Sequence, residues 1–547
     1  MRYQTKSKSI PEETRRVAKA AFPKGNNYMT MRDELNEMYP DERLEELFSH
    51  AGRPGEAPGS LALISVMQYA EGLSDRQAVE AVRGRIDWKY ALGLELEDPG
   101  FSHSVLSQFR KRLLAGGEEQ VILEEMLLRF EEKGLLKTKG VQRTDSSHIL
   151  AATRELNRLE LVGETMRHLL EVLAVSYPGW LEGYLQLDWR DRYGPRFEEY
   201  RLPKRIQERE ALAEAIGEDG AYLLAQLTGD PALAGIRQLP AVLSLSRIWI
   251  QQYYYQEGQL RWRHREQGFP PAAKIIQTPY DTEVRYSRKR NKEWRGYKVH
   301  LTETCNVDAP NLVTNVLTTP ATTPDTEVIP TIHQSLVESD HAPESHLVDA
   351  GYTDTDNLVQ SQKAKIDLVG PVQADSTWQG QDPEAFDLST FVIDWDNQQV
   401  TCPNGKKSAT WYPGRKSSGQ SIIRVRFASQ DCHSCSERDH CTKSSNNPRS
   451  LKFYSKAHHQ TLQAARAFQE TPAFKSLYQL RAGAEGTISQ ATRSFDLRRT
   501  RYIGLAKTHL HNTLVASAMN LSRVVTWLRD VPRAQTRTPA FVKLMPT

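Results

Sequence analysis

The sequence has few cysteines and no long apolar run. Five cysteines in 547 residues are too few for a disulfide framework, and four of them lie close together late in the chain, a pattern more typical of metal binding. A mean hydropathy of −0.59 and the lack of a long apolar stretch argue against a membrane span. The basic start, MRYQTKSKSIPEETRR, has no apolar stretch behind it. No secretory signal is therefore predicted, and we expect a cytoplasmic protein without a membrane partner.

An excess of charge of one sign is also missing. The 71 basic and 68 acidic residues give a net charge of +3, whereas a compact histone-like protein would be far more basic. If nucleic acid is the partner, the signal must be local clustering of charge. The hydrophobic content of 39% and the charged content of 25% are ordinary for a globular protein. The length predicts two to four structural units.

Two long stretches, 30–140 and 155–270, have the apolar spacing of amphipathic helices. Ser74 is a natural N-cap for a helix that begins at Asp75, and a later helix of the same stretch is predicted to end at Gly116. Residues after 455 return to this helical pattern up to 530. Most of the chain is thus predicted to be helical.

Short apolar or alternating runs between the helical stretches predict strands. The predicted strands are at 141–145, 295–306, 311–319, 345–352 and 366–372. The first is expected to give way to a helix from about Ser147, and the second and third to form a hairpin. Residues 376–451 are predicted to be a β-rich insertion with a hairpin that turns at Asp396–Asn397. Strands alternating with helices around such an insertion predict a mixed α/β sheet.

Two aspartates come at the ends of predicted strands. Two-metal phosphodiester chemistry needs carboxylates from separate segments, and in open α/β sheets such groups lie at the carboxyl ends of strands. Asp145 and Asp349 are in such positions. Neither is specific alone, because an aspartate there is also a common helix N-cap. Among nearby acids, we interpret Asp354 as the cap of the next helix, and Glu155 and Glu160 as solvated or salt-bridged.

Several strings in this order resemble the DDE transposases of bacterial insertion sequences. They are RTDSSH, YDTEVRYSRKRNKEWRGYKVH, LTTPATTPDTEVIP and LVDAGYTD. The stretch EGLSDRQAVEAVRGRIDWKYALGLELEDPGFSHSVLSQFRKRL resembles the helical domain that precedes the catalytic core in the long, cysteine-bearing insertion-sequence group numbered 1182. The resemblance extends over most of the chain.

The same family has a third acid on a late helix, within a tyrosine–arginine–glutamate signature. Tyr478, Arg481 and Glu485 match it and are spaced three and four residues apart, which would place them on one helical face. Where the signature often continues with lysine, this chain has Thr492, with Arg493 beside it as a substitute. The resemblance implies an RNase-H-like core in which the catalytic triad Asp145, Asp349 and Glu485 binds two Mg²⁺ or Mn²⁺ ions.

The late cysteines form a plausible tetrahedral set. They are Cys402, Cys432, Cys435 and Cys441. Four thiolates favour a closed, structural Zn²⁺ site, and the resembled family carries a similar cysteine insertion. His433 or His440 could replace one ligand, and the alternative is a group of reduced thiols in a loop-rich insertion. Cys305, in a predicted strand, is most simply a small buried hydrophobe.

Two basic segments are candidate DNA contacts. The segment 285–298 interleaves cations with aromatic residues, a mixture that suits phosphate contact with base stacking, and the second segment follows Glu485. Either could instead be a solvated charged surface. The helix with basic residues 110–112 could be a recognition helix, although cations near a helix C-terminus also stabilise its dipole. With the signature tyrosine and arginine, the predicted contacts are Arg288, Arg290, Lys292, Arg295, Lys298, Tyr478, Arg481, Arg493, Arg498 and Arg499.

These patterns divide the chain into an α/β catalytic core and several additions. The predicted parts are an N-terminal tail (1–28), a helical DNA-end-binding domain (29–137), the RNase-H-like core (138–155, 280–375 and 452–530), a helical insertion (156–279), a zinc-binding β-rich insertion (376–451) and a C-terminal tail (531–547).

The predicted function is that of a transposase that binds the inverted repeats of its own element, cuts there and joins the ends to target DNA. It would act on double-stranded DNA as a homodimer or higher oligomer, associated with the nucleoid when bound. Three alternatives stay open at this point. They are a transposase-derived DNA-binding protein without activity, an RNase-H-like structure-selective nuclease, and a zinc-dependent hydrolase unrelated to DNA.

Overall fold

A computed structural model gives the arrangement of the chain. It describes residues 2–3, 9–48, 54–137, 139–228, 231–416, 419–532 and 540–545. Residues 1 and 4–8 of the expected N-terminal tail and residues 533–539 and 546–547 of the expected C-terminal tail lie outside the described residues.

The N-terminal part is helical, as its apolar spacing predicts. Its elements are β1 (Arg2–Tyr3), α1 (Glu12–Ala21), α2 (Asn27–Leu35), β2 (Pro54–Gly55), α3 (Pro58–Ala70), α4 (Asp75–Gly84), α5 (Ile86–Leu92), α6 (Ser104–Gly116) and α7 (Val121–Glu132). The predicted start of α4 is confirmed by a reciprocal capping box between Ser74 and Gln77. One expectation is wrong, because α1 lies inside the stretch expected to be a tail and buries Ala18 against Met29 and Tyr90.

The strand β3 (Val141–Leu150) follows, and then a helical insertion with its own hydrophobic core. The insertion contains α8 (Arg158–Ser176), α9 (Pro178–Glu182), α10 (Trp189–Tyr193), α11 (Ile206–Gln226), α12 (Ala234–Arg237), α13 (Pro240–Gln252), β4 (Tyr253–Gln256) and β5 (Gln259–Trp262). The hairpin of β4 and β5 corrects the helical prediction at its end. Its Tyr253 and Trp262 are buried on the core of the insertion, which explains why aromatic strands replace a helix there.

A mixed sheet of six strands forms the centre of the protein. After β3, its strands are β6 (Arg285–Lys289), β7 (Lys292–Thr304), β8 (Val313–Pro320), β9 (Ser345–Leu347) and β10 (Asp367–Val369). β10, β9 and β3 are parallel, β7 is antiparallel to β3, and β6 and β8 both pair with β7 in the antiparallel sense. The mixed α/β class and the hairpin of β7 with β8 are thereby confirmed.

The prediction that β3 ends at Asp145 and a helix begins near Ser147 is wrong. β3 continues to Leu150, and its residues pair with β7 from Gln142 opposite Thr304 to Leu150 opposite Gly296. The long strand β7 supplies backbone hydrogen-bond partners for these residues. Strand pairing therefore overrides the local preference of Ser146 and Ser147 for a turn or a helix start. Asp145 therefore lies within the strand and not at its end.

Two helices follow the sheet strands, α14 (Ile329–Glu338) and α15 (Thr355–Lys363), and Asp354 caps the second as expected. The β-rich insertion is then built from α16 (Trp378–Gln381), β11 (Val392–Asp394), β12 (Gln399–Thr401), β13 (Thr410–Arg415), β14 (Ser421–Arg426), α17 (Ser429–His433), α18 (Arg438–Cys441) and β15 (Ser450–Tyr454). β11 and β12 form the predicted hairpin around Asp396–Asn397. The insertion has its own small core, which includes Phe391 and Phe453.

The C-terminal part is helical, as predicted. Its helices are α19 (Lys456–Gln469), α20 (Pro472–Tyr478), α21 (Gly483–Ser494) and α22 (Leu505–Leu528). Neither α22, the longest of them, nor any other helix in the described ranges has the length and apolarity needed to cross a membrane.

Helix α22 lies between the sheet and the N-terminal helices. Its Asn520 side chain donates to the Val313 carbonyl of β8 (2.8 Å) and accepts from the Val313 amide (2.7 Å), so it occupies the free edge of that strand. On another face, His511 contacts the Tyr69 hydroxyl of α3 at 3.3 Å. One hydrophobic core includes residues of the N-terminal helices, the sheet and α22. The expected boundary at 137/138 thus separates no independent core.

Two neutral histidines are buried behind the centre of the sheet. His346 Nε2 contacts Thr144 Oγ1 (2.6 Å), and His346 Nδ1 contacts His333 Nε2 (2.8 Å). Burial lowers the pKa of His333 to about 4 and that of His346 well below its ordinary value. The folded protein therefore holds both imidazoles in their neutral form, each with one N–H proton, at neutral pH.

Acidification should destabilise the protein through these rings. The unfolded chain takes up a proton near pH 6.5 and the folded chain only near pH 4 or below, so stability is present above about 6.5 and is lost as the pH falls. Each ring contributes a slope of about 1.4 kcal/mol per pH unit within that window. Thermal unfolding at pH 7.5 and pH 5 measures it. His333→Gln should reduce the pH-dependent loss, whereas the exposed control His103→Gln should not. An unchanged pH dependence in His333→Gln would contradict the assignment.

Candidate active site

The structure brings the three predicted acids together from three separate segments. Arg143 of β3 pairs with Leu347 of β9 in parallel register, so Asp145 and Asp349, each two residues further along, come to the same level of the sheet. Glu485 lies in the first turn of α21, which packs on β3. The three carboxylates are thereby placed at one point on the surface of the sheet.

A single guanidinium lies between the three acids. Arg481 Nη2 is 2.9 Å from Asp145 Oδ2 and 3.9 Å from Asp349 Oδ2, and Arg481 Nη1 is 3.6 Å from Glu485 Oε1. The Arg481 side chain is only 13% exposed, whereas that of Glu485 is 76% exposed. Arg481 therefore supplies positive charge inside the group, and Glu485 faces solvent at its rim.

Burial dominates the electrostatics of Asp145. It raises the pKa of Asp145, and the negative charge of Asp349 adds to this effect, while Arg481 and the Ser146 amide oppose it. The Ser146 amide donates to Asp145 Oδ1 (2.8 Å), and the Gly351 amide donates to Asp349 Oδ1 (2.8 Å). Two carboxylates held this close are stabilised by a cation between them.

The donor set of this group suits a hard divalent cation. Carboxylate oxygens are the ligands that Mg²⁺ prefers, and a few of them suffice because the ion keeps most of its waters. Within the described ranges, no three or more histidine, cysteine, aspartate or glutamate side chains have the arrangement of a metal site. In the arrangement found here, Arg481 is the cation that the acids share.

A fourth carboxylate, Asp325, lies beside the group and was not singled out from the sequence. A Cβ built on Gly351 would lie 2.9 Å from Asp349 Oδ1 and 3.4 Å from Asp325 Oδ2, so both acids border the same small space. Asp325 forms an ion pair with Lys298 (2.6 Å), and both side chains are largely buried. Asp325 lies in the string LTTPATTPDTEVIP, and that position was the one sequence signal that could have indicated it. Lys298, predicted as a DNA contact, is instead committed to this buried pair.

The hairpin of β6 and β7 carries the other predicted contacts of the first basic segment. Arg288, Arg290 and Lys292 are exposed at its tip, where Arg288 lies 3.7 Å from Glu293. Arg295 is half-buried and forms an ion pair of 2.5 Å with Glu155. The interpretation of Glu155 as salt-bridged is thus confirmed, and Arg295 is less available to DNA than its neighbours.

The second basic segment lies alongside the end of β3. The Leu150 amide donates to the Arg498 carbonyl (2.8 Å), and Arg498 Nε lies 3.4 Å from Ser147 Oγ. Burial, together with the positive charges of Lys292 and Arg498, lowers the pKa of His148 to about 4. Cations from both segments therefore lie close to the strand that carries Asp145. Arg493 and Arg499 are exposed on the same segment.

The remaining candidates differ in their surroundings. Tyr478 is half-buried and stacks on Phe474, with ring centroids 5.1 Å apart. In helix α6, Arg110 is buried in an ion pair of 2.5 Å with Asp75, and Arg112 lies over the ring of Phe48. These two arginines contribute to packing, which weakens the interpretation of α6 as a DNA-recognition helix.

The four late cysteines are free and half-buried in the β-rich insertion. Cys402, Cys432 and Cys441 pack against its core, and Asn404 Nδ2 donates to Cys435 Sγ (3.1 Å). Burial raises the pKa of Cys441 to about 11; Arg449 opposes the shift and the other three thiols add to it. The thiols are therefore neighbours, although the described residues include no arrangement that would itself hold a metal ion. Cys305 is buried, as expected.

Two family models match separate parts of the chain. The family described as "Transposase DDE domain" matches residues 401–525, which include Tyr478, Arg481 and Glu485 but neither Asp145 nor Asp349. The family described as "Transposase domain (DUF772)" matches residues 16–112, the helices from within α1 to within α6. No curated protein and no solved structure matches the chain. The two matches together support an insertion-sequence transposase with a DDE transposase domain in its C-terminal part.

Proposed function

We propose that the protein cuts and joins DNA at the ends of its own insertion sequence, with Asp145, Asp349 and Glu485 as the catalytic acids. The observation that carries the proposal is the contact of one guanidinium, Arg481, with acids from three separate segments. Two-metal phosphodiester chemistry requires carboxylates that converge from separate segments. An aspartate that serves only as a helix cap binds the amides of its own helix and needs no such neighbours. The DDE transposase domain implies a nucleotidyl-transfer enzyme that acts on DNA.

Asp145, Asp349 and Glu485 would hold two Mg²⁺ or Mn²⁺ ions. Such ions, when bound, lower the pKa of water and neutralise charge on the phosphodiester. Arg481 would turn from the acids towards a phosphate once another cation neutralises them, because its guanidinium suits bidentate contact with phosphate oxygens. Arg498 and Lys292, near the end of β3, would bind the DNA backbone beside the reacting bond.

The finer assignments belong to the same proposal. We infer an RNase-H-like core, supported by a mixed sheet that carries Asp145 on an inner strand. We also infer the group numbered 1182, supported by the order of the quoted strings along the sequence. The complex would contain two or more copies of the chain, because two element ends must be cut and joined together.

The test is cleavage of DNA that carries the flanks of this protein's own gene. With Mg²⁺, the wild type should cut at discrete positions at both ends, and a shuffled DNA of equal length should stay intact. Specific binding to the flanks without cutting would favour a transposase-derived DNA-binding protein. Cutting that follows DNA structure and ignores the flanks would favour a structure-selective nuclease.

We further propose that the four neighbouring cysteines bind a structural Zn²⁺ ion. Their thiols are close enough to influence one another, and four thiolates form a closed site. Metal analysis of the purified protein should find about one zinc per chain in the wild type. Cys435→Ser should lower the zinc content, whereas Cys305→Ser, directly after β7, should leave it unchanged. Equal zinc contents in Cys435→Ser and the wild type would contradict the site.

A further inference from the structure

A buried carboxylate lies beneath the helix that carries Glu485. Glu303 of β7 is 1% exposed and accepts three side-chain hydrogen bonds. Its donors are Arg143 Nε (2.7 Å), Arg523 Nη1 (2.7 Å) and Thr487 Oγ1 (2.6 Å). The three donors come from β3, α22 and α21 respectively. The carboxylate therefore joins the two segments that carry Asp145 and Glu485.

Arg143 and Thr487, which donate to Glu303 from β3 and α21, each lie two residues from a proposed catalytic acid. Arg143 precedes Asp145 by two positions on β3, so the two side chains are on the same face of the sheet. Thr487 follows Glu485 by two positions on α21. Arg523 Nη2 also donates to Thr487 Oγ1 (2.7 Å), so the hydroxyl is fixed both as donor and as acceptor.

The start of α21 is fixed by the same arginine. Arg143 Nη1 donates to the Leu480 carbonyl, just before the helix. A Cβ at Gly483 would lie 2.1 Å from that nitrogen, so a larger residue there would displace the Arg143 guanidinium. The guanidinium thus holds the first turn of α21 against β3.

Apolar packing provides little alternative anchorage for α21. Its buried residues are Ala484, Thr487 and Ala491, and its one larger apolar side chain, Ile488, packs against the main core only partly buried, which is little apolar surface for a helix of 12 residues. Glu485 itself is mostly exposed, and its ion pair with Arg481 spans 3.6 Å. The position of the third acid therefore depends largely on polar contacts of α21, which are the buried hydrogen bonds of Thr487 and the bond from Arg523 to Gln490.

We propose that Thr487, Glu303, Arg143 and Arg523 are positioning residues that set the placement of Glu485 relative to Asp145. The inference rests on the proposed catalytic role of Glu485 and names the residues on which that role depends. None of the four touches the reacting groups. They act by holding α21 in register with β3, and a shift of about 1 Å in such a site costs on the order of 10² in rate.

The test compares three variants of α21. Thr487→Val removes the hydroxyl with little change of volume, and Thr487→Ser restores it. Thr492→Val is the matched control, because the Thr492 hydroxyl bonds only within the helix, to the Ile488 carbonyl (2.7 Å). Hydrogen exchange of the amides in residues 483–494 should become about tenfold faster in Thr487→Val and stay unchanged in the other two.

Cleavage gives the second readout. In Thr487→Val the single-turnover rate should fall by about 10- to 100-fold and the Mg²⁺ concentration for half-maximal rate should rise, while affinity for the DNA ends stays that of the wild type. Thr487→Ser should recover most of the rate. A general loss of folding would instead lower DNA binding and rate together.

The two readouts separate this inference from the proposed function. Unchanged exchange in Thr487→Val would overturn the anchorage, whatever the activity. Faster exchange with an unaltered rate and Mg²⁺ requirement would overturn its role in positioning Glu485. If the wild type does not cleave, the proposed function fails, and the exchange data still decide whether Thr487 anchors the helix.

Discussion

Strand cleavage is expected to fall by roughly a thousandfold or more when Glu485 is replaced by glutamine. The substitution keeps the size of the side chain and removes its charge, and the Glu485 side chain is 76% exposed, so the fold should be unaffected. Loss of one of three carboxylates removes much of the negative charge that would hold the metal ions. Single-turnover cleavage of the flanking DNA at saturating protein measures the rate.

Glu470→Gln is the matched control, because Glu470 is an exposed glutamate at the end of α19, in the same C-terminal part of the chain. It should cleave like the wild type. Both variants should bind the DNA ends with wild-type affinity. A wild-type rate in Glu485→Gln would remove this residue from the triad, and a matching loss of binding would make it a DNA contact.

The free energy of unfolding is expected to fall by about 3–5 kcal/mol when Glu303 is replaced by alanine. Burial alone would raise the pKa of Glu303, but Arg523 and Arg143 together lower it, so the carboxylate is charged at neutral pH. Its removal leaves the guanidiniums of Arg143 and Arg523 largely buried without their counter-charge. Urea denaturation followed by circular dichroism measures the change.

The control for this prediction is an ion pair at the surface. Glu13→Ala breaks the ion pair between Glu13 and Arg16, two side chains that are both well exposed. It should leave the denaturation midpoint unchanged. Glu303→Gln should lie between alanine and the wild type, because it keeps hydrogen bonds without the charge. A midpoint for Glu303→Ala equal to that of the wild type would show that the arginines find other partners.

Local patterns predicted the elements well where one face of the chain is buried. The capping box at Ser74 and the hairpin of β7 with β8 depend on neighbours in sequence, so composition and spacing indicated both. The end of β3 could not be read in this way. Its last five residues are strand because β7 pairs with them from about 150 positions away.

The three acids that the structure brings together were predicted from the sequence, whereas the cation between them was not. Asp145, Asp349 and Glu485 were predicted from expected strand ends and from the resemblance, and the structure places them around one cation, although Asp145 lies within its strand. The sequence did not indicate that Arg481 is this cation or that Lys298 is buried with Asp325. Both facts depend on side-chain contacts between distant segments. No spacing within one segment indicates which cations are exposed and which are committed to buried ion pairs.

The position of α22 has a consequence for the synthesis of the protein on the ribosome. The apolar side chains of α3 leave the ribosome early, but the helix that covers them is about 440 residues further along the chain. At about 5–20 residues per second, the early helices wait roughly 20–90 seconds for their partner. The contacts of Arg523 in α22 with Glu303 and Thr487 can form only after that. Premature termination anywhere before α22 therefore yields a fragment with an exposed apolar face, a target for chaperones and proteases.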